Sequence, residues 1–189
     1  MKKLFYIFTF LFVFNANSQE INQLLEKPKE GKSLVYFVRS NSTGFALNFR
    51  VYDKDKFLYA LPFQEYLVYE CEPGYHVFWA ASDNRDYVDA DLEANKVYVV
   101  DVQGQMGMLV AGVSLVPFKP SERSNKKDLF KIVKKEKKII YSNNLSNGDD
   151  KTENIQQGLE KYNLLKEKKS SKIEILTKDM FFENANKPN

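Results

Sequence analysis

The sequence has few of the residues from which catalytic and metal centres are usually built. Its 189 residues include one cysteine, Cys71, one histidine, His76, and one tryptophan, Trp79. A single cysteine cannot form an internal disulfide, and one cysteine with one histidine cannot supply the four ligands of the usual structural zinc site. P-loop, GxGxxG, HExxH and GxSxG motifs are also missing. We therefore predict no enzyme, no cofactor and no catalytic or metal-binding residues, and leave the binding residues unassigned.

Long apolar runs are confined to the N-terminus. Met1-Lys2-Lys3 is followed by eleven apolar or nearly apolar residues, Leu4 to Phe14, and then by Ala16-Asn17-Ser18. This pattern predicts a signal peptide over residues 1–18, because the run is shorter than the about 20 residues that span a bilayer. We expect the mature chain to be periplasmic or extracellular, to have no transmembrane span and to bind no nucleic acid.

Charge divides the rest of the chain after a short linker at residues 19–30. Residues 31–120 hold eight Lys and Arg against eleven Asp and Glu, whereas residues 121–189 hold sixteen against eleven. Pro117 and Pro120 lie where the composition changes. The division predicts a sandwich domain at 31–120 and a basic helical C-terminal extension at 121–189.

Residues 31–120 are a succession of short β-branched and aromatic runs separated by turn residues. This predicts a mainly β protein, a single β-sandwich of about seven or eight strands, with Glu72-Pro73-Gly74-Tyr75 as a type II turn. The candidate strands are 34–39, 45–52, 57–61, 66–71, 75–81, 87–92, 97–102 and 108–118.

The extension has helical spacing. A first helix is predicted from Ser124 or Asn125, with Leu129, Ile132, Val133 and Ile139 on one side, ending before Ser142. A second is predicted from Asp150 to Lys169, and its stripe of Ile155, Leu159 and Tyr162 should dock on the sandwich. Ile173 to Thr177 alternates with polar residues and predicts a short terminal strand.

Four segments resemble a known bacterial family. They are Gly31 to Arg39, Tyr69 to Trp79, Asn84 to Leu92 and Tyr98 to Val100, with a Pro-Gly turn followed by an aromatic strand. The sequence of these segments is similar to the domain of unknown function 2846 family, over roughly half of the chain. The resemblance implies an exported single sandwich, like carboxypeptidase-regulatory and PEGA-type domains. It implies no established activity and no site residues.

Two constellations suggest an alternative function, a small hydrolase or a calcium-dependent module. His76 with Ser82 or Ser114 and an aspartate of the 83–91 loop has the residue types of a catalytic triad. The same loop concentrates oxygen ligands suited to calcium. Its ligands are Asp83, Asn84, Asp86, Asp89 and Asp91. A structural histidine and a solvated acidic loop are the simpler interpretations.

Other polar and aromatic residues within strands allow further interpretations. Arg39 and Arg50 either extend their charged ends to solvent or pair with a carboxylate such as Glu70 or Asp89, or else bind an anionic ligand. Aromatic rings pointing outward would bind sugar, although core packing is the simpler expectation. The candidate rings are those of Tyr66, Tyr69, Trp79 and Tyr87. Glycines at 104, 107 and 112 mark a bulge, a close backbone approach or an edge that adds a partner strand.

The helix from Asn125 to Lys138 is basic and amphipathic. Such a helix either docks its apolar side on the sandwich and leaves a solvated basic face, or lies on an anionic membrane surface. Docking is favoured because the apolar side has no tryptophan. The sequence thus predicts an exported module that binds an envelope protein or polymer through a face or an edge of the sandwich, without catalysis.

Overall fold

The structure is a computed structural model that describes residues 24–106, 111–143, 145 and 152–185. These residues form ten strands and two helices. The strands are β1 (Ser33–Val38), β2 (Phe49–Asp53), β3 (Lys56–Leu61), β4 (Glu65–Cys71), β5 (Gly74–Ala81), β6 (Arg85–Leu92), β7 (Val97–Gln105), β8 (Gly112–Pro117), β9 (Lys137–Ile140) and β10 (Ile173–Leu176). The helices are α1 (Arg123–Lys135) and α2 (Thr152–Glu167). The predicted signal peptide at residues 1–18, Gly107 and the predicted helix start at Asp150 lie outside the described residues.

Two five-stranded sheets confirm the predicted mainly β, sandwich-like fold. The first, sheet A, has the order β8-β7-β1-β4-β9, and the second, sheet B, has the order β10-β6-β5-β2-β3. In sheet A the central strand β1 is parallel to β7 and antiparallel to β4. All six residues of β1 are buried, which explains its continuous apolar sequence.

The core between the sheets is aromatic and aliphatic. Val35 and Phe37 of sheet A face Phe49 and Phe78 of sheet B in one buried cluster. The rings of Phe37 and Phe78 meet edge to face with centroids 5.2 Å apart. Alternation along each strand then sends the intervening side chains to the outer faces of the sheets.

Both outer faces are apolar as well, and each is covered by a helix. Leu129 and Ile132 of α1 pack on the outer face of sheet A. Ile155 and Tyr162 of α2 pack on the outer face of sheet B, which confirms the predicted docking stripe. Within the described residues, no helix combines the length and the apolarity needed to cross a membrane.

The C-terminal extension contributes strands as well as helices. The prediction that the first helix continues through Ile139 is wrong, because α1 ends at Lys135 and Glu136 is extended. Lys137–Ile140 instead forms β9, parallel to β4. The β-branched pair Ile139 and Ile140 favours a strand, and the open edge of β4 offers it backbone partners. The predicted terminal strand is confirmed as β10, parallel to β6.

The predicted Pro-Gly turn is present, and one predicted strand begins later in the chain than expected. Gly74 has φ of +111° directly after Pro73, as the predicted Pro-Gly turn requires. The strand predicted from Phe45 begins only at Phe49. Residues 41–48 form a loop because three of their carbonyl groups accept hydrogen bonds from the buried Arg39.

Contact between α2 and sheet B depends on a glycine. A Cβ atom at Gly158 would lie 2.5 Å from Cη2 of the buried Trp79. The Tyr87 hydroxyl donates a hydrogen bond to the Gly158 carbonyl over 2.8 Å. The helix therefore approaches the sheet as closely as backbone contact allows.

We predict that Gly158→Ala destabilises the protein by about 1–3 kcal/mol, because the new methyl group overpacks a rigid indole. Helix propensity alone predicts the opposite, a gain of about 1 kcal/mol. Urea unfolding measures the difference. The control is Asn163→Ala, at an exposed position of the same helix, which should be neutral or slightly stabilising. A Gly158→Ala protein as stable as the parent would contradict this account of the packing.

Candidate functional site

The basic face of α1 is the candidate site. We name as the basic stripe five exposed residues on the side of α1 opposite Leu129 and Ile132. They are Arg123, Lys127, Lys131, Lys134 and Lys135. Arg123, Lys127, Lys131 and Lys135 are four residues apart and Lys134 is three residues after Lys131, so these spacings place them on one helical face. They line a groove of about 600 Å³ with Ser124 and the half-buried Phe130.

The charges of the basic stripe are not used in ion pairs, although Lys131 interacts electrostatically with Glu136. In the described part of the chain, no carboxylate lies within ion-pair distance of any of its five side chains. The next two lysines differ, because Lys137 pairs with Glu65 and Lys138 pairs with Glu26. Residues 123–138 hold eight Lys and Arg against two acidic residues. The stripe therefore presents concentrated positive charge on a helix fixed by its buried face.

Behind α1 lies a buried polar cluster. Asp101 is fully buried and accepts hydrogen bonds from the backbone and hydroxyl of Ser40 and from Gln103. Burial raises the pKa of Asp101. Burial also raises the pKa of Glu136 to about 7; Lys131 and Arg39 oppose this rise, and the nearby Asp101 adds to it. Asp101 itself is closed to solvent, and Ser40, Gln103 and Glu136 around it are half-buried, so the cluster serves the junction of α1 with sheet A.

Arg39 does not form the predicted ion pair. Its guanidinium donates hydrogen bonds to four backbone carbonyls and lies 4.2 Å from the ring centroid of Phe49. The acceptors belong to Thr43, Gly44, Leu47 and Leu61. The carboxylates suggested by the sequence are used elsewhere, since Glu70 pairs with Lys29 and Asp89 with Lys166. Arg39 thus shapes the 41–48 loop, and its donors are directed at the protein's own backbone.

His76 lies in a cluster that the sequence did not indicate. Its Nδ1 donates to Asp53 Oδ2 over 2.8 Å, and its Nε2 donates to the Glu72 carbonyl over 2.8 Å. Tyr69 donates to the same Asp53 oxygen over 3.0 Å. Asp53 is the last residue of β2, at the β2–β3 turn. It lies close to His76 only because β2 pairs with β5.

Both ring nitrogens of His76 face acceptors, so the imidazolium is the form that fits. Burial lowers the pKa of His76, but hydrogen bonds and charge from Asp53 and Cys71 outweigh it and raise the pKa to about 10. A base that is already protonated and doubly hydrogen-bonded cannot accept a proton at neutral pH. His76 therefore holds the end of the sandwich together.

The triad alternative does not assemble. His76 is on the inner face of sheet B, whereas Asp89 bonds α2 on the outer face. Asp86 is close to the opposite end of β6, since His76 pairs with Ala90 and four residues of strand span about 13 Å. Ser82 donates its hydroxyl to the Ala111 carbonyl. The predicted partners thus lie on different faces and at different ends.

The oxygen ligands of the acidic loop at residues 83–91 do not converge on one point either. Asn84 binds the backbone of Val113, and Asp86 accepts from the Leu115 amide. Asp89 and Asp91 pair with lysines on the outer face. The described residues include no group of three His, Cys, Asp or Glu side chains suited to hold a metal ion. The structure gives the calcium interpretation no support.

The free edge of β8 is also occupied. Asn84 both accepts from the Val113 amide and donates to its carbonyl, while Asp86 takes the Leu115 amide. These contacts join β8 of sheet A to β6 of sheet B and use the groups that an added strand needs. The predicted close backbone approach is confirmed at Gly104, where a Cβ atom would lie 1.9 Å from the Thr43 carbonyl oxygen.

The aromatic rings proposed for sugar binding are buried. Trp79 and Tyr87 are fully covered by α2, and Tyr66 and Tyr69 are 4% exposed. Two aromatic side chains of the described sandwich are exposed: Phe45, 70% exposed in the 41–48 loop, and Tyr75, 50% exposed at the start of β5. One sequence signal could have found Tyr75: strand alternation places it on the same face as Trp79, at the end of β5 that α2 covers least.

We predict that the protein loses stability as the pH rises from about 6.5 to about 10. The raised pKa of His76 means that its stabilising contribution is complete below pH 6.5 and is lost through pH 10. The loss should be up to about 5 kcal/mol, measured by urea unfolding across this range. The groups facing His76 are Asp53, Tyr69 and Cys71. The control is His76→Gln, which should start less stable and show a flatter profile; equal slopes would refute the assignment.

Comparison with protein-family models, curated proteins and solved structures finds no match for this chain. The resemblance to the domain of unknown function 2846 family stays a prediction carried by the residues. Function must therefore be inferred from the chain's own geometry.

Proposed function

We propose that this protein is an exported, non-enzymatic binding module whose basic stripe binds an anionic envelope polymer. The observation that carries the proposal is the unpaired charge of the stripe, five cationic side chains with no carboxylate at ion-pair distance in the described chain. Charges that recur every three or four residues along a helix face suit a repeating chain of phosphate or carboxylate groups.

The rigidity of α1 supports this function. Leu129 and Ile132 anchor the helix on sheet A, and β9 follows it directly into the same sheet. The stripe is therefore held in one orientation before binding, which reduces the entropy lost on association. Lys134 lies 5.5 Å from the Phe130 ring centroid, so an apolar surface borders the charges.

A polymer fits the helix better than a lipid bilayer does. A helix that inserts into a membrane surface needs a free apolar face. In α1 that face is used by the protein, because Leu129 is 0% and Ile132 is 2% exposed. What remains at the surface is charge, which favours a polymer that approaches from water.

We predict that Lys127→Gln, Lys131→Gln and Lys134→Gln together abolish most binding to polyphosphate or polygalacturonate, the two anionic chains used as probes. Removing three contacts should lower the slope of log affinity against log salt by about 2–3. Fluorescence anisotropy with labelled polymers measures both quantities. Stronger binding of one probe identifies phosphate or carboxylate as the preferred group.

The matched control changes the same net charge elsewhere. Lys161→Gln, Lys168→Gln and Lys172→Gln alter three exposed lysines outside α1. This variant should bind almost as tightly as the parent. Equal losses in both triple variants would show that net charge and not the stripe is responsible, and binding only to anionic vesicles would replace the polymer with a membrane.

A further inference from the structure

We propose that a groove on the outer face of sheet B, next to the end of α2, binds a neutral saccharide. The groove has a volume of about 510 Å³, within the range of about 300–1,000 Å³ typical of small-ligand sites. It crosses β5, β6 and β10 at the part of the outer face that α2 leaves uncovered. This inference is independent of the function proposed for α1.

The walls of the groove are apolar and its floor is polar. Tyr75 forms one wall from β5, and Ile175, 53% exposed, forms the other from β10. Asp89 and Asp91 lie between them on β6, since Tyr75 pairs with Asp91 and Ile175 pairs with Asp89. With strands about 4.8 Å apart, the two walls stand about 10 Å from each other at the backbone. Thr177 adds a hydroxyl at the rim.

Tyr75 is a fixed aromatic platform. Half of the side chain is exposed, yet its hydroxyl donates to Asp89 Oδ1 over 2.8 Å and lies 2.5 Å from the hydroxyl of Tyr162. Tyr162 also donates to Asp89 Oδ1, over 2.6 Å. The ring is therefore held in place from its buried end. A pre-positioned ring loses little entropy when the apolar face of a sugar stacks on it.

The charges of the groove are balanced, which argues for an uncharged ligand. Asp89 pairs with Lys166 over 2.5 Å, and Asp91 pairs with Lys178 over 3.4 Å. Burial alone raises the pKa of Asp89, but the hydrogen bonds from Lys166, Tyr162 and Tyr75 bring it below its usual value. Asp179 also lines the groove and accepts a hydrogen bond from the Thr177 hydroxyl, and Lys54 Nζ lies 5.7 Å from the centroid of the Tyr75 ring, so three carboxylates face three lysines. A carboxylate has about four lone-pair sites. Asp89 uses three of them on Tyr75, Tyr162 and Lys166, so the exposed Asp91 supplies most of the acceptors left for hydroxyl groups.

The combination of a fixed ring, an opposite apolar wall and paired polar groups matches the chemistry of a sugar. A pyranose ring has apolar C–H faces and a rim of hydroxyl groups that both donate and accept hydrogen bonds. An aliphatic ligand would leave the floor without partners, at a free-energy cost for each polar group covered. An anion or a cation would meet a site of no net charge.

The test uses titration calorimetry and amide chemical shifts of the mature chain. The uncharged probes are chitotriose, cellotriose and maltotriose, and the charged comparison is trigalacturonate. We expect millimolar or tighter binding of at least one uncharged probe, with shifts at Tyr75, Asp91, Ile175 and Thr177. No binding of any uncharged probe, or tighter binding of trigalacturonate, would overturn the proposal.

Variants locate the site. Tyr75→Ala should weaken binding by about fivefold to tenfold, the value of one aromatic stacking contact, while Tyr75→Phe should retain most of the affinity. Because Tyr75→Ala also removes hydrogen bonds to Asp89, Ile175→Ala is the second variant; it breaks no side-chain hydrogen bond and should weaken binding about twofold. The control is Phe45→Ala, at a 70% exposed aromatic outside the groove. Unchanged affinity in both Tyr75→Ala and Ile175→Ala would overturn the site.

Discussion

The structure depends on the burial of four apolar sheet faces in a chain that has only two sheets. The inner faces cover each other, but the outer faces carry buried residues as large as Tyr36 and Trp79. Exposing such surface costs about 25 cal/mol per Å². Both helices of the extension are therefore needed by the sandwich, and they are part of the same folded unit as the strands before residue 120.

This constraint explains where charge appears. Since α1 must present its apolar side to sheet A, its many lysines are left on the opposite face, and that face becomes the basic stripe. α2 covers the outer face of sheet B in a different way, because Gly158 lets Trp79 approach the helix backbone. Lys166 of α2 is drawn into a pair with Asp89. One helix is thus left with unpaired charge, and the other uses its charge for docking.

The strands could be predicted well because the sequence patterns that mark them are local. Short β-branched runs, the Pro73-Gly74 turn and the stripe of Ile155 and Tyr162 each depend on neighbours within a few residues. The same local logic failed at Ile139, where a strand forms only because β4 has an open edge seventy residues earlier. It failed at Arg39 for a related reason: its acceptors are carbonyls of a loop, and backbone acceptors leave no trace in the residue type.

The two candidate sites also differ in whether the sequence could predict them. The basic stripe was predictable, since helical spacing alone gathers its lysines. The Tyr75 groove was not, because Tyr75, Asp89 and Tyr162 meet only through strand pairing and the docking of α2. The partner of His76 was missed for the same reason, since Asp53 is 23 residues away in the chain.

The placement of the two surfaces limits what they can bind together. α1 covers sheet A and the groove opens on sheet B, so the whole sandwich separates them: two sheets about 10 Å apart, with a helix layer about 10 Å thick on one side. A single short ligand cannot reach both. If both surfaces bind as proposed, they act either on two molecules or on distant parts of one long chain, because the sandwich stands between them.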